Sequence, residues 1–108
     1  MDRIALHTRL LPGREVTYDT LHNRVPDALA SDLRDAGVQE WRIWRDGVDL
    51  FHHVHVVDRA RMRTMMRASS ANADWQRIVA PLLDPTEPSG DLPLVWSLRD
   101  QTDEEREY

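Results

Sequence analysis

The sequence predicts an α+β domain of the ferredoxin-like class, with the element order β-α-β-β-α-β. Three observations support this prediction. The N-terminal stretch alternates apolar and polar residues, the middle of the chain carries a hairpin signal, and helical patterns follow the first and third strands. The 108 residues suit one domain, placed at 1–100, followed by an acidic tail at 101–108. Such a chain can bury a real core but no large enclosed cavity.

The first third of the chain predicts a strand followed by a bent helix. Residues 3–10 alternate with a period near two, which is typical of a half-buried strand. Residues 14–36 carry an apolar stripe at helical spacing. Pro26 lacks an amide donor, so the helix must bend near Asn23 and Pro26 is expected to open a second helical piece. Gly37 is the expected C-terminal cap.

A β-hairpin is predicted at residues 40–58, EWRIWRDGVDLFHHVHVVD. Asp46 and Gly47 form the pair that a tight hairpin turn favours. An antiparallel sheet with helices on one face leaves its other face uncovered, and that face must include large side chains from EWRIW and FHHVH. Two chains packed sheet to sheet would cover it, so we expect a homodimer.

The last third predicts helices and a closing strand. Asp58 is placed to cap a short helix that ends at Arg67. The segment SSANAD at 69–74 is expected to interrupt the chain before a second helical run, WQRIVAPLL, at 75–83. The stretch LPLVWSLR at 92–99 is expected to form the final strand.

Composition excludes several classes of function. The net charge is −5 and all 14 basic residues are arginine, a balance that argues against nucleic-acid and anionic-membrane partners. The absence of cysteine excludes disulfides, thiolate nucleophiles and thiolate metal sites. No stretch resembles a signal peptide or approaches the roughly 18 apolar residues of a membrane span. We therefore expect a cytoplasmic protein.

The pair Tyr18 and His22 is a candidate for proton chemistry. Residues four apart lie one helical turn from each other and can address the same small ligand. Histidine titrates near neutral pH and can give or take a proton there. On spacing alone, a helix-surface pair or a buried histidine bonded to a backbone carbonyl is favoured over a catalytic pair.

Three further histidines lie on one predicted strand. His53 and His55 share a face and His52 points the other way. Imidazoles at i and i+2 could bind one metal ion, with His7 or His22 completing the site. No carboxylate-rich motif accompanies them, so histidines that line a polar pocket are favoured and no metal or cofactor is predicted.

Four tryptophans are many for a chain of this length. Indole rings cover the apolar faces of sugars and also fill cores. Core packing is favoured for Trp44 and Trp96, whereas periodicity decides neither Trp41 nor Trp75. The residues by themselves therefore indicate a small dimeric α+β domain with a histidine-centred pocket.

Three motifs in order resemble the L-rhamnose mutarotase family. YDTLHN, residues 18–23, is similar to the family's Tyr, three spacers and His-Asn, followed by a Pro-containing helix and Ala-Gly. WRIWRD, at 41–46, resembles its aromatic-x-Ile-aromatic strand, and NADWQRIVAPLL, at 72–83, its Trp-centred last helix. The resemblance extends from Ile4 to about Arg99.

The resemblance implies a dimeric α/β barrel that interconverts the α and β anomers of L-rhamnose or a related deoxyhexose. It implies an isomerase that needs no cofactor and binds a monosaccharide. A proton-donating role is implied for His22. Sugar contacts are implied for Tyr18, for Trp41 where the family has Tyr, for Trp75, and for Gln76 where some members have a second Trp.

The same fold leaves other functions open, because fold alone does not decide function. A cofactor-independent monooxygenase would need an oxidisable aromatic substrate and a more apolar pocket. A non-catalytic sugar-binding module would need no titrating histidine. We rank the mutarotase first, the oxygenase second and the binding module third.

Overall fold

The computed structural model describes residues 1–86 and 90–101. The acidic tail predicted at 101–108 lies, apart from Gln101, outside the described residues. The elements are β1 (Asp2–Arg9), α1 (Glu15–Leu21), α2 (Asp27–Asp35), β2 (Val38–Asp46), β3 (Asp49–Val56), α3 (Arg59–Ala68), α4 (Ser70–Val79), a 3₁₀ turn (Ala80–Leu82) and β4 (Gly90–Asp91). The four strands form one antiparallel sheet in the order β2-β3-β1-β4. The predicted α+β, ferredoxin-like class is confirmed, with each predicted helical region divided into two helices.

One face of the sheet packs against the helices and forms the core. Strand alternation places Ile4, Leu50 and Val54 on this face, all buried. They pack in two clusters with side chains from the helices, among them Met62 and Val79. No helix in the described part of the chain covers the other face. It carries Arg3, His7, Trp44, Phe51, His53 and His55.

The region 14–36 folds as two separate helices around Pro26. Helix α1 ends at Leu21, and the Pro26 backbone, with ψ of 140°, precedes the first residue of α2. The prediction that Pro26 opens a second helical piece is confirmed. Gly37 follows α2 with a φ of 91°, a conformation that glycine adopts without the strain of a side chain, and reverses the chain into β2.

The predicted break between the last two helices is confirmed but is confined to Ser69, and the predicted start of the second helix at residue 75 is wrong. The Asp58 carboxylate caps α3 as expected, accepting the backbone N–H groups of Ala60 and Arg61. However, the Ser69 side chain accepts the N–H of Asn72, so α4 begins at Ser70, five residues before the predicted start. A serine-rich segment is typical of a loop, but here one serine supplies the helix cap.

The final strand predicted at 92–99 is wrong: the fourth strand is Gly90–Asp91, which precedes that segment and leaves its apolar side chains uncovered. Among the residues described after position 86, pairing with β1 comprises Gly90–Asp91 and one further bond from the Leu92 N–H to the Ala5 carbonyl. Residues 92–97 lie outside the sheet. The predicted core positions of Trp44 and Trp96 are also wrong for the single chain, since these side chains are 54% and 62% exposed.

Candidate functional site

An open cleft of about 860 Å³ lies on the helix-covered face of the sheet. It brings together the five residues that the resemblance named, Tyr18, His22, Trp41, Trp75 and Gln76. Their location in one cleft is what a shared site requires, and their individual roles stay predictions. Two residues that sequence reasoning did not assign to the site, Thr8 and His52, also line it.

His22 lies at the C-terminal end of α1, directly over Tyr18. Its backbone N–H is bonded to the carbonyls of Tyr18 and Asp19, which closes the helix at this residue. The Nδ1 atom of His22 lies 2.8 Å from the Tyr18 carbonyl oxygen. Because a carbonyl oxygen only accepts, Nδ1 carries a hydrogen. The Nε2 atom is therefore the nitrogen that can exchange a proton with a ligand.

Aromatic rings hold the His22 imidazole on two sides. The Tyr18 ring stacks on it with centroids 4.0 Å apart, and the Trp75 ring meets it nearly edge-on at 5.1 Å. These contacts and the Nδ1 bond restrict both the position and the tilt of the imidazole. A fixed imidazole with one free nitrogen can carry out general acid or base catalysis.

Tyr18 is a buried phenol that keeps its proton. The residue is 4% exposed and belongs to the core cluster with Leu10 and Leu50. Burial, with a smaller contribution from the charge of Asp19, raises the pKa of Tyr18 to about 12. At neutral pH its hydroxyl is therefore a hydrogen-bonding group and not a base.

An ion pair fixes α1 against the sheet beside the cleft. The Arg45 guanidinium on β2 donates to both carboxylate oxygens of Asp19, at 2.9 and 2.7 Å. The Arg45 hydrogen bond holds the pKa of Asp19 below its usual value. This bidentate contact ties the helix that carries Tyr18 and His22 to the strand that carries Trp41.

Of the three histidines on β3, His52 faces the cleft, and the predicted pocket-lining role of His53 and His55 is wrong for this cleft. His53 and His55 lie on the uncovered face, with ring centroids 4.9 Å apart. His52 is two residues from both Leu50 and Val54 along β3, so its side chain lies on the same face as these two, which are buried under the helices. This alternation was the signal in the sequence that could have assigned His52 to the cleft.

His52 is bonded at both ring nitrogens. Its Nδ1 atom accepts the indole N–H of Trp41 at 3.2 Å, and its Nε2 atom lies 3.1 Å from the Thr8 hydroxyl oxygen. Burial lowers the pKa of His52 to about 4, with smaller contributions from His22 and His7. The imidazole is therefore neutral at physiological pH.

The low pKa of His52 predicts how stability depends on pH. An unfolded histidine titrates near 6.5, so between about pH 4 and 6.5 the unfolded chain binds a proton at this position that the folded chain does not. The free energy of unfolding should therefore rise with pH through this window and level off above it. Melting temperatures measured between pH 4.5 and 7 should depend less on pH in His52→Gln than in the wild-type protein. An equal pH dependence in the two proteins would contradict the low pKa of His52.

No group of three or more potential metal ligands occurs among residues 1–86 and 90–101. His7, which the sequence offered as a third ligand, is bonded to the Asp49 carboxylate at 2.9 Å on the uncovered face. Neither His53 nor His55 reaches the cleft. The metal-free site stays a prediction, tested below by chelation.

Comparison with known proteins gives a family match and several structural matches. A family model described as L-rhamnose mutarotase matches residues 3–101. The crystal structure of an L-rhamnose mutarotase from Formosa agariphila is similar at a TM-score of 0.75 and 22% identity, covering 91% of this chain and 99% of that one. No match was found among curated proteins.

Two other structures share the fold at lower identity. HapK from Hahella chejuensis has a TM-score of 0.65 and 16% identity, with 89% of this chain and 95% of that one covered. Tetracenomycin F2 cyclase from Streptomyces glaucescens, a type-II polyketide cyclase, has a TM-score of 0.57 and 15% identity, with 90% and 98% covered. These likenesses show the fold alone. None of the described helices is long and apolar enough to cross a membrane.

Proposed function

The chain belongs to the L-rhamnose mutarotase family, and we propose that its cleft binds L-rhamnose or a related deoxyhexose. Members of this family are isomerases that interconvert the α and β anomers of a sugar. In the proposed reaction, His22 moves a proton as the sugar ring opens. One observation carries this proposal. The His22 imidazole is held by Tyr18 and Trp75 inside the cleft, with Nδ1 bonded to a carbonyl and Nε2 left to act.

Mutarotation needs only a positioned acid and base. A base takes the proton of the anomeric hydroxyl while an acid protonates the ring oxygen, and the bond between the anomeric carbon and the ring oxygen breaks to give the open-chain aldehyde. Rotation about the bond between the first and second carbons presents the other face, and the reverse transfers close the ring. A well-placed acid or base contributes roughly 10² to 10⁴ to such a rate.

His22 performs one of these transfers through Nε2. The second is not carried by His53, because that side chain lies on the opposite face of the sheet. The Tyr18 phenol, with its pKa of about 12, orients a sugar oxygen, and water carries the remaining proton. This division agrees with a cleft that is open to solvent.

The two half-buried tryptophans supply apolar surface for the sugar ring. Trp41 and Trp75 lie on different elements, β2 and α4, and both line the cleft. Indole rings pack on the C–H faces of sugars while the hydroxyl groups bond to polar side chains. Gln76 and Asn72, whose side-chain amides lie 3.4 Å apart, are polar partners at the α4 side.

The family match favours the mutarotase over the oxygenase alternative. The cleft lining is mixed: apolar side chains such as Leu29 and Met62 predominate, and the charged side chains of Arg34, Glu40 and Arg67 also line it. The sugar-binding module differs from the enzyme only in lacking turnover. Magnetisation exchange between the α and β signals of deoxyhexoses separates the two, because a module that only binds gives no enhancement of exchange.

Chelation is expected to leave activity unchanged, because the reaction requires only proton transfers and the histidines do not form a ligand set in the described part of the chain. The protein should be dialysed against a strong chelator and its anomer exchange compared with an undialysed sample. Loss of activity that zinc restores would revive a metal site.

We also propose that the protein is a homodimer formed through the uncovered face of the sheet. Trp44 and Phe51 are directly opposite each other on β2 and β3 there and are 54% and 40% exposed. The segment after β4 is also apolar and exposed, with Val95 at 96%. A second copy packed on this face would bury both surfaces. The cytoplasmic location stays a prediction from the sequence.

A further inference from the structure

Three side chains on adjacent strands form a hydrogen-bonded chain along the floor of the cleft. Trp41 lies on β2, His52 on β3 and Thr8 on β1. The indole Nε1 of Trp41 lies 3.2 Å from His52 Nδ1, and His52 Nε2 lies 3.1 Å from Thr8 Oγ1. The Trp41 and His52 rings meet nearly edge-on, at 76°. Because β3 pairs with both neighbours along its length, the sheet holds the three side chains in register.

The chemistry of the indole fixes the direction of this chain. An indole N–H only donates, so His52 Nδ1 must accept and carries no hydrogen. In a neutral imidazole the other nitrogen, Nε2, then bears the proton and donates it to the Thr8 oxygen. A charged imidazole would bring an Nδ1 hydrogen against the indole hydrogen, so protonation of His52 breaks the chain.

The Thr8 hydroxyl is left with one proton to donate. Its oxygen already accepts from His52, and the residue lines the same cleft as Tyr18 and His22. We propose that Thr8 donates this proton to an oxygen of the bound sugar, and that His52 is a positioning residue that sets the direction of the donation. This inference rests on the function proposed above and adds a specificity-determining contact to it.

The proposed hydrogen bond limits which group of the sugar can lie against the Thr8 hydroxyl. A hydroxyl or ring oxygen can accept from Thr8, whereas a carbon that lacks its oxygen cannot. The contact is made equally by either anomer and by the open-chain form, provided that it involves an oxygen that does not react. Loss of such uniform binding raises KM and leaves kcat unchanged.

The test compares Thr8→Val, which keeps the shape and removes the hydroxyl, with Thr8→Ser, which keeps the hydroxyl. Exchange rates measured over a range of L-rhamnose concentrations should show a KM about 3- to 10-fold higher in Thr8→Val, the range for one lost hydrogen bond, with kcat retained and with Thr8→Ser near wild type. Thr64→Val, which removes an exposed hydroxyl on α3, serves as the matched control. An unchanged KM in Thr8→Val would overturn the proposal.

Monodeoxy analogues of L-rhamnose locate the partner oxygen. With the wild-type protein, one analogue should have a KM that is higher than that of L-rhamnose by the same factor. With Thr8→Val, the KM of this analogue should rise no further, because the two changes remove the two ends of one hydrogen bond. If the KM increases caused by the variant and by the analogue multiply for every analogue, the proposed contact is overturned. A wild-type protein that exchanges no deoxyhexose would count against the proposed function instead.

The role of His52 has a readout that is independent of activity. Imidazole nitrogen NMR at pH 7 should show His52 neutral with its proton on Nε2, and His52→Leu should shift the indole N–H signal of Trp41. In the exchange assay, the KM of the double variant should be lower than the separate effects of His52→Leu and Thr8→Val would give if they multiplied. A His52 ring that carries its proton on Nδ1, or that is charged at pH 7, would overturn the assigned direction.

Discussion

Replacing His22 by alanine is expected to slow anomer exchange by about two to four powers of ten while the protein stays folded. The substitution removes the only ring nitrogen in the proposed mechanism that exchanges a proton with the sugar. It leaves the backbone bonds at the end of α1 intact, since these involve the N–H of residue 22 and not its side chain. Exchange should be followed by polarimetry after dissolving one pure anomer, with thermal melts to monitor folding.

Tyr18→Phe is the matched comparison for this variant. The substitution removes one hydroxyl and keeps the ring that stacks on His22 at 4.0 Å. Because the phenol orients the sugar and is not the base, the loss should be smaller than for His22→Ala. If His22 only packs the bend before Pro26, the alanine variant would melt at a lower temperature but, where folded, exchange anomers at the wild-type rate.

Charging the uncovered face is expected to convert a dimer into a monomer. The double substitution Trp44→Asp and Phe51→Asp places two carboxylates on neighbouring positions of β2 and β3. Burying unpaired charges costs several kcal/mol, so the dimer dissociation constant should rise by at least about two powers of ten. Sedimentation velocity at micromolar concentration measures this shift directly.

Ile78→Asp is a suitable control for the dimer variant. Ile78 lies on α4, away from the uncovered face, and is 50% exposed, so the same change of polarity should leave association unaltered. A wild-type protein that sediments as a monomer, or a double variant that remains as tightly associated as wild type, would contradict the proposed interface.

Local patterns predicted those elements whose signals lie within a few residues of one another. The alternation of residues 3–10 gave β1, the Asp46–Gly47 pair gave the hairpin, and Asp58 gave the start of α3. The start of α4 was missed because Ser69 is compatible with both a loop and a cap. The Ser69 side-chain bond to the Asn72 N–H identifies it as a cap.

The candidate site was predicted only in part, for a physical reason. Tyr18 and His22 are one helical turn apart, so their proximity follows from sequence spacing. His52 meets Thr8 across 44 positions of sequence, and such a contact depends on the strand order. The predicted strand at 92–99 does not form although β1 extends to Asp2: the Leu92 N–H bonds to the Ala5 carbonyl, and Pro93, which follows, has no N–H to donate.

Magnetisation exchange between the α and β anomers of L-rhamnose, measured at equilibrium with wild-type protein and with His22→Ala, tests the central claim most directly. L-fucose measured in parallel shows whether a related deoxyhexose is also accepted. We expect wild-type protein to transfer saturation between the anomeric signals far faster than buffer, and the folded alanine variant to lose most of that enhancement. A wild-type protein that leaves the uncatalysed rate unchanged, or a folded His22→Ala protein that matches wild type, would contradict a mutarotase centred on His22.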